Sequence, residues 1–226
     1  MTIPEKLPVH VTFIMDGNGR WARSRGKDRI EGHFEGVESV REVMKTSVEL
    51  GIPYVSFYAF SEENWGRDAA EVNGLMELMY RAMKNELNTF LDNGVRFLVL
   101  GNRSRLPDKV NRGIDELQEL TKEGKRLTMI LFMSYSGQWD IQQAARRMAR
   151  AGAEDIAPFL STAGIPDPDL MIRTSGEQRI SNYMLWQLAY AEFVFTPTLW
   201  PDFRKQEYLA ALEEFASRDR RFGKVK

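Results

Sequence analysis

The residues best able to do chemistry in this chain stand together in FIMDGNGRWAR, Phe13 to Arg23. An apolar run of β type, Val11 to Met15, stops at Asp16. Gly17, Asn18 and Gly19 then supply three loop-permissive positions before Arg20 and the indole of Trp21. A carboxylate at a strand's end can hold a divalent cation, and glycines let backbone N–H groups approach an oxyanion. The planar guanidinium of Arg20 suits phosphate. The combination describes a cradle for a metal and a diphosphate.

Two other readings compete with that one. Asp-Gly-Asn-Gly is also a plain turn sequence in which the aspartate does no more than cap the next segment. GNGRWA also fits the G-x-G-x-x-A form of the dinucleotide fingerprint, which needs a βαβ unit of ~30 residues and an acidic residue ~20 positions on. The next strand-like run, Tyr54 to Phe60, comes too late for that. An acid placed directly before the glycines would also repel a pyrophosphate unless a cation bridged them.

Polar clusters of the same kind recur after other apolar runs. SEENWGR, Ser61 to Arg67, follows YVSFYAF, and Ser134 to Gly137 follows LTMILFM. In LMIRTSGEQRISN, Leu170 to Asn182, the opening logic repeats, with Arg173 and Arg179 on either side of a Ser-Gly turn. Any one of these arginines is by itself a solvated surface charge. Their recurrence at strand ends points to one anionic pocket and a ligand carrying phosphates. His33 stands at a helix start, where a ring N–H could meet an anion, although a lone histidine there is more often a capping or packing group.

Elements that could position these residues are readable from periodicity. Val37, Val40, Val43, Met44 and Val48 mark a helix that ends at Gly51. Val72, Leu75, Met76, Leu78, Met79, Met83, Leu87 and Leu91 mark another that stops near Asn93-Gly94. Val95 to Gly101 reads as a strand and Pro107 to Glu123 as a surface helix, with further helices through Ile141 to Ala149 and Lys205 to Phe215. Leu127 to Met133 is apolar throughout, as expected of a parallel strand covered on both faces. Strands alternating with helices predict one α/β domain over residues 1–226, with a parallel sheet whose ligand binds beyond the carboxyl ends of its strands.

Composition narrows the function. Among 226 residues, 31 basic side chains nearly balance 32 acidic ones, so a general grip on nucleic acid is not indicated. The absence of cysteine removes disulfides, redox motifs and thiol nucleophiles, and two histidines, His10 and His33, give no zinc cluster. No apolar run suffices for a transmembrane segment and MTIPEKLP lacks an apolar signal core, so the expected location is cytoplasmic.

HVTFIMDGNGRWA, YAFSEENWGR, RTSGEQRISNYMLWQLAYAEFVFTPTLWPDF and the terminal RRFG resemble, in order and nearly end to end, the cis-prenyltransferases typified by undecaprenyl diphosphate synthase. The resemblance implies a homodimer of a six-stranded, mostly parallel sheet with surrounding helices and a hydrophobic tunnel. It also implies that magnesium (Mg) serves to join an allylic diphosphate to isopentenyl diphosphate. By resemblance Asp16 is the catalytic and metal-associated aspartate, with Gly17, Asn18, Gly19, Arg20, Arg29 and His33 around the allylic diphosphate. Arg173, Arg179 and Ser181 match residues holding the other diphosphate, and Glu192 matches a second metal-associated carboxylate. Arg221 and Gly223 resemble a terminal Arg-x-Gly near the dimer interface. Ser61, Glu62, Glu63, Asn64, Trp65 and Arg67 match a mobile substrate-positioning loop whose asparagine has been assigned the proton-acceptor role. Trp21, Tyr58, Phe60 and Trp65 could form an aromatic wall around a cation, although Tyr58 and Phe60 fit core packing better.

The chain departs from the family pattern at Phe132, Met133, Ser134, Ser136, Gln138, Ser175 and Asn102. Bulk at Phe132 and Met133 beside Met76, Met79 and Met83 predicts a blocked tunnel and a short product. The compact length and odd loops also resemble an irregular branch of the family, cyclolavandulyl diphosphate synthase, which couples two dimethylallyl diphosphates and cyclises the product. Ala59, by contrast, keeps the small residue of the long-chain pattern.

Overall fold

The structure is a computed structural model of the chain and describes residues 6–219. Six strands alternate with helices: β1 His10–Ile14, β2 Tyr54–Ser61, β3 Val95–Leu100, β4 Leu127–Tyr135, β5 Leu170–Arg173 and β6 Glu192–Phe195. The helices are α1 Asn18–Arg23, α2 Arg29–Leu50, α3 Ala69–Asp92, α4 Asp108–Thr121, α5 Gly137–Ala151 and α6 Lys205–Ala216. The strands form one sheet in the order β3-β4-β2-β1-β5-β6, every neighbouring pair parallel. The expected six-stranded α/β architecture is therefore present, and its sheet is parallel throughout.

Local chemistry explains where the elements begin and end. The Asp68 carboxylate accepts from the N–H groups of Ala70 and Glu71 at the start of α3, and the Ser136 hydroxyl accepts from Trp139 at the start of α5. Gly51, at φ 74°, closes α2 in the left-handed conformation expected of a C-terminal glycine. The opening motif differs from expectation. Asn18 and Gly19 start the short helix α1 rather than continuing a loop, so only Gly17 acts as the left-handed connector.

The sheet separates two cores. Leu127, Met129, Leu131 and Met133 of β4 share one face with Phe13, Phe57, Val43, Met44 and Met83, whereas Ile130 and Phe132 point to the other, with Tyr135, Tyr183 and Met184. Strand alternation thus sends Phe132 away from α2 and α3, where a tunnel obstruction was expected. It packs edge-on against Tyr135 at 4.6 Å and Tyr183 at 5.2 Å. In β2 the register slips between Tyr58 and Phe60, so Ala59 is the extra residue of a bulge. The bulge lets both Ala59 and Phe60 pack on the core that holds Val43 and Met44, while Tyr58 stacks on Tyr183 at 4.2 Å. Among the described residues, no helix is long and apolar enough to cross a membrane.

Candidate active site

Asp16 follows the carboxyl end of β1, and its backbone is pinned from two sides. Its carbonyl accepts from Trp200 N–H at 3.0 Å and from the Thr174 hydroxyl at 2.7 Å. Gly17 takes φ 110°, and a Cβ there would lie 3.0 Å from three atoms of Leu199, so the turn into α1 requires glycine. Trp21 N–H bonds the Gly17 carbonyl at 2.8 Å, which leaves the N–H groups of Asn18, Gly19 and Arg20 as the unpartnered first donors of α1. A Cβ at Gly32 would meet the Asn18 carbonyl at 2.0 Å, so α2 packs directly against this turn.

Arginines converge on the same end of the sheet, each parked on a carboxylate. Buried Arg173 gives Nε and Nη2 to Asp16 Oδ2 at 2.9 and 2.6 Å, and its Nη1 to Ser181 Oγ at 2.9 Å and to the Arg179 carbonyl. Glu177 takes Arg20 on one oxygen at 2.8 Å and Arg179 on the other at 2.5 Å. Glu71 Oε1 likewise accepts both Arg29, at 3.2 Å, and Arg67, at 3.0 Å. Two carboxylates therefore hold the four outer guanidinium groups as two pairs, an arrangement matched to anions carrying more than one acidic oxygen. Glu71 and Glu177 were not singled out from sequence. The i, i+4 spacing of Arg67 and Glu71 was the available signal for the first.

His33 lines the same cavity, and its buried Nε2 has no partner. Burial, then the charges of Arg29 and Arg67, hold its pKa down at about 4, so the ring is neutral near pH 7. The loop after β2 is a 3₁₀ turn, Glu62–Gly66, closed by reciprocal bonds: Asn64 N–H to Ser61 Oγ at 3.2 Å and Ser61 N–H to Asn64 Oδ1 at 3.1 Å. Glu63 accepts from Asn182 at 2.7 Å, and Glu62 pairs with Arg105 and accepts from Ser134 at 2.5 Å.

Below these groups a cavity of about 640 Å³ descends between α2, α3 and the sheet. Asp16, Asn18, Arg29, His33, Ser61, Asn64, Arg67, Arg173 and Ser181 line its mouth. Val40, Ala59, Leu75, Leu78, Met79, Met83, Phe90, Phe97, Met129 and Leu131 line its body. Met79 and Met83 are thus tunnel residues, whereas Met76, Met133 and Phe132 are not in the lining. Tyr58 and Phe60 do reach the cavity, but Trp21 and Trp65 do not. Trp21 bonds Asp202 at 2.7 Å beneath Arg25, and Trp65 bonds Ser134 at 2.8 Å with Arg105 over its ring. The serines that depart from the family pattern, Ser134, Ser136 and Ser175, are absent from the lining too.

Among the described residues no cluster of three histidine, aspartate or glutamate side chains could cage a metal. Asp16 spends Oδ2 on Arg173, which leaves Oδ1 outside that pair, at the cavity mouth. This fits a cation that takes one protein carboxylate and draws its remaining ligands from substrate phosphates and water, the habit of magnesium. Glu192 is not brought to Asp16 within this chain. It opens β6 in register with Leu170, at the amino end of the sheet, and pairs with Arg218 at 2.9 Å. Arg221 and Gly223 lie outside the described residues.

A parallel α/β sheet with arginines paired to carboxylates at its strand ends and a largely apolar cavity beneath them has room for a ligand with a charged head and a hydrocarbon body. A family profile described as putative undecaprenyl diphosphate synthase matches residues 14–223, and the chain belongs to that family, the cis-prenyltransferases. It is a prenyltransferase. It is 49% identical to an isoprenyl transferase of Chlorobaculum tepidum, over 97% of this chain and 87% of that one. It is 44% identical to a ditrans,polycis-undecaprenyl-diphosphate synthase, (2E,6E)-farnesyl-diphosphate specific, of Legionella pneumophila, over 97% of each. Among solved structures, lavandulyl diphosphate synthase from Lavandula x intermedia in complex with dimethylallyl diphosphate superposes with a TM-score of 0.92 at 35% identity, covering 96% of this chain and 99% of that one.

Proposed function

We propose that the chain is a magnesium-dependent synthase that joins an allylic diphosphate to isopentenyl diphosphate and repeats the addition, housing a linear prenyl chain in the tunnel. The observation that carries this reading is the cavity itself, continuous from Asp16 to Phe90 and Phe97 with Ala59 in its wall and Phe132 on the far side of the sheet. Its volume falls within the 300–1,000 Å³ range of ligand pockets.

The residues divide the work. Arg29, Arg67, His33 and the first N–H groups of α1 would hold the allylic diphosphate, while Arg173, Arg179 and Ser181 would hold the second diphosphate. As the allylic carbon–oxygen bond breaks, charge grows on the departing diphosphate, and fixed donors aimed at it lower the barrier. Magnesium, when bound through Asp16, supplies further neutralisation of that charge. Once the new carbon–carbon bond has left a cation on the isopentenyl unit, Asn64 Oδ1 is the candidate acceptor for the proton released from the adjacent carbon as the double bond forms, after the reciprocal bonds with Ser61 loosen. The exposed edge strand β6, with Phe193 and Phe195 half-buried and Trp186 and Tyr190 exposed nearby, suits pairing with a second copy in a homodimer.

The test is incubation of the purified chain and magnesium with farnesyl and isopentenyl diphosphates, and separately with dimethylallyl diphosphate alone. Dephosphorylated products are read by mass spectrometry. A ladder of linear polyprenols in the first mixture is expected. A branched or cyclic monoterpenol in the second, with no elongation in the first, would replace this reading with the irregular one.

A further inference from the structure

One polar element interrupts the apolar body of the tunnel. Arg41 of α2 and Glu86 of α3 both line the cavity, among Val40, Met44, Met83 and Phe90. Arg41 Nε donates to Glu86 Oε2 at 3.0 Å, and its Nη2 pairs with Glu86 Oε1, so the contact is bidentate. The pair is largely shielded, with side-chain exposures of 27% for Arg41 and 10% for Glu86. Burial alone would raise the Glu86 carboxyl, yet the hydrogen bond and charge of Arg41 outweigh it and hold the group below its ordinary value.

The position of the pair gives it a consequence for a growing chain. Arg41 lies eight residues along α2 from His33, ~12 Å below the diphosphate end at 1.5 Å per residue. Glu86 lies one helical turn before Phe90, which lines the cavity with Phe97 and Met129. The two helices that wall the tunnel are therefore tied together near its lower end by charges, at a level where apolar side chains would have served packing. Widening the lumen there means separating α2 from α3. That would break the pair and leave two charges facing hydrocarbon, a costly state.

We infer that the Arg41–Glu86 pair is a product-length determinant, a tie between α2 and α3 that fixes the width of the lower tunnel and halts prenyl extension when the space down to Phe90 is filled. This rests on the reading of the tunnel as the seat of a growing chain. The exposed Glu38, which also pairs with Arg41 but is absent from the lining, has no such role.

The experiment compares dephosphorylated products of the wild-type chain with those of Arg41→Gln, Glu86→Gln, the double variant and Glu38→Gln, each confirmed folded by thermal melting. The double variant leaves no unpaired charge and so guards against a single variant that fails to fold. Expected are products longer by at least one isoprene unit in both single variants and the double, a double shift no larger than either single one, and wild-type products from Glu38→Gln. First-condensation rates should stay within about threefold of wild type, since the pair lies ~12 Å from the diphosphate end. Unchanged or shorter products from a folded double variant, or single shifts that add in the double, overturn the inference. A wild-type chain that makes no elongated product overturns instead the reading on which it rests.

Discussion

Arg173 reaches across 157 positions of sequence to place two hydrogen bonds on one oxygen of Asp16, Oδ2, at 2.9 and 2.6 Å. The pair is asymmetric, with Arg173 3% exposed and Asp16 37% exposed. The guanidinium is anchored by four bonds to the protein and still lines the cavity with one Nη2 hydrogen left to donate, while the carboxylate keeps Oδ1 outside the pair. Strand pairing makes this possible, because β1 and β5 run parallel in register from Val11 and Leu170 to Ile14 and Arg173 and end together.

Replacing Asp16 with Ala therefore has two effects. Loss of the carboxylate at the cavity mouth should cost several kcal/mol of transition-state stabilisation, roughly a thousandfold or more in turnover. Stability should also fall, by about 1–3 kcal/mol, since Arg173 is left buried with only Ser181 and the Arg179 carbonyl. Steady-state rates with saturating magnesium, alongside urea melts, separate the two effects. A rate within tenfold of wild type would remove Asp16 from the chemistry.

The opening motif, the strand-end clusters and the parallel sheet were legible because they rest on local signals: glycine, an apolar run, a polar exit. Facing was less legible. In β4 every residue from Met129 to Met133 is apolar, so nothing in the run says that Met129 and Leu131 line the tunnel while Phe132 packs beyond the sheet; only pairing fixes that. The bulge at Ala59 leaves no mark in YVSFYAF either. Glu71 and Glu177 each join a near neighbour, Arg67 or Arg179, to a distant arginine, Arg29 or Arg20, and the Arg41–Glu86 pair crosses between helices; in sequence the distant halves of these relations look like solvated surface.

His33 should report the arrival of the diphosphate. In the free protein, burial and the flanking Arg29 and Arg67 keep its pKa at about 4. An anion seated among those arginines offsets their repulsion and favours the imidazolium, so the pKa should rise by about one unit or more. Titration of the ring signals by NMR, with and without inorganic diphosphate and magnesium, measures it. A His33 pKa that stays put while the arginine signals move would place the diphosphate elsewhere.

His10 provides a pH dependence of stability unrelated to the active site. Its ring is fully buried, with Nδ1–H donating to the Pro166 carbonyl at 2.7 Å and Nε2 accepting from Ser56 at 2.8 Å. Burial pushes its pKa down to about 4, against the Pro166 carbonyl and Asp169, which favour the charged form. The unfolded chain, with a pKa near 6.5, binds the proton first. The stabilisation is therefore complete above about pH 6.5 and is lost as pH falls toward 4, in total about 3 kcal/mol. In His10→Gln the fall in unfolding free energy between pH 7 and 4 should be smaller than in wild type by that order. Equal slopes in both proteins would show that His10 does not titrate on unfolding in this window.

The two faces of the sheet make opposite predictions for product length. Ala59 stands in the tunnel wall at the bulge, so Ala59→Leu adds bulk where a growing chain must pass, and its products should shorten while the first condensation continues. Phe132 is fully buried against Tyr135 and Tyr183 on the far face, so Phe132→Ala should cost about 3–5 kcal/mol of stability. Its product distribution should be unchanged at temperatures where it stays folded, because the space it vacates does not open into the cavity. Mass spectrometry of the polyprenols from both variants, read beside their melting curves, decides the matter. Longer products from a folded Phe132→Ala chain would mean that the far core communicates with the tunnel, and that Phe132 limits extension after all.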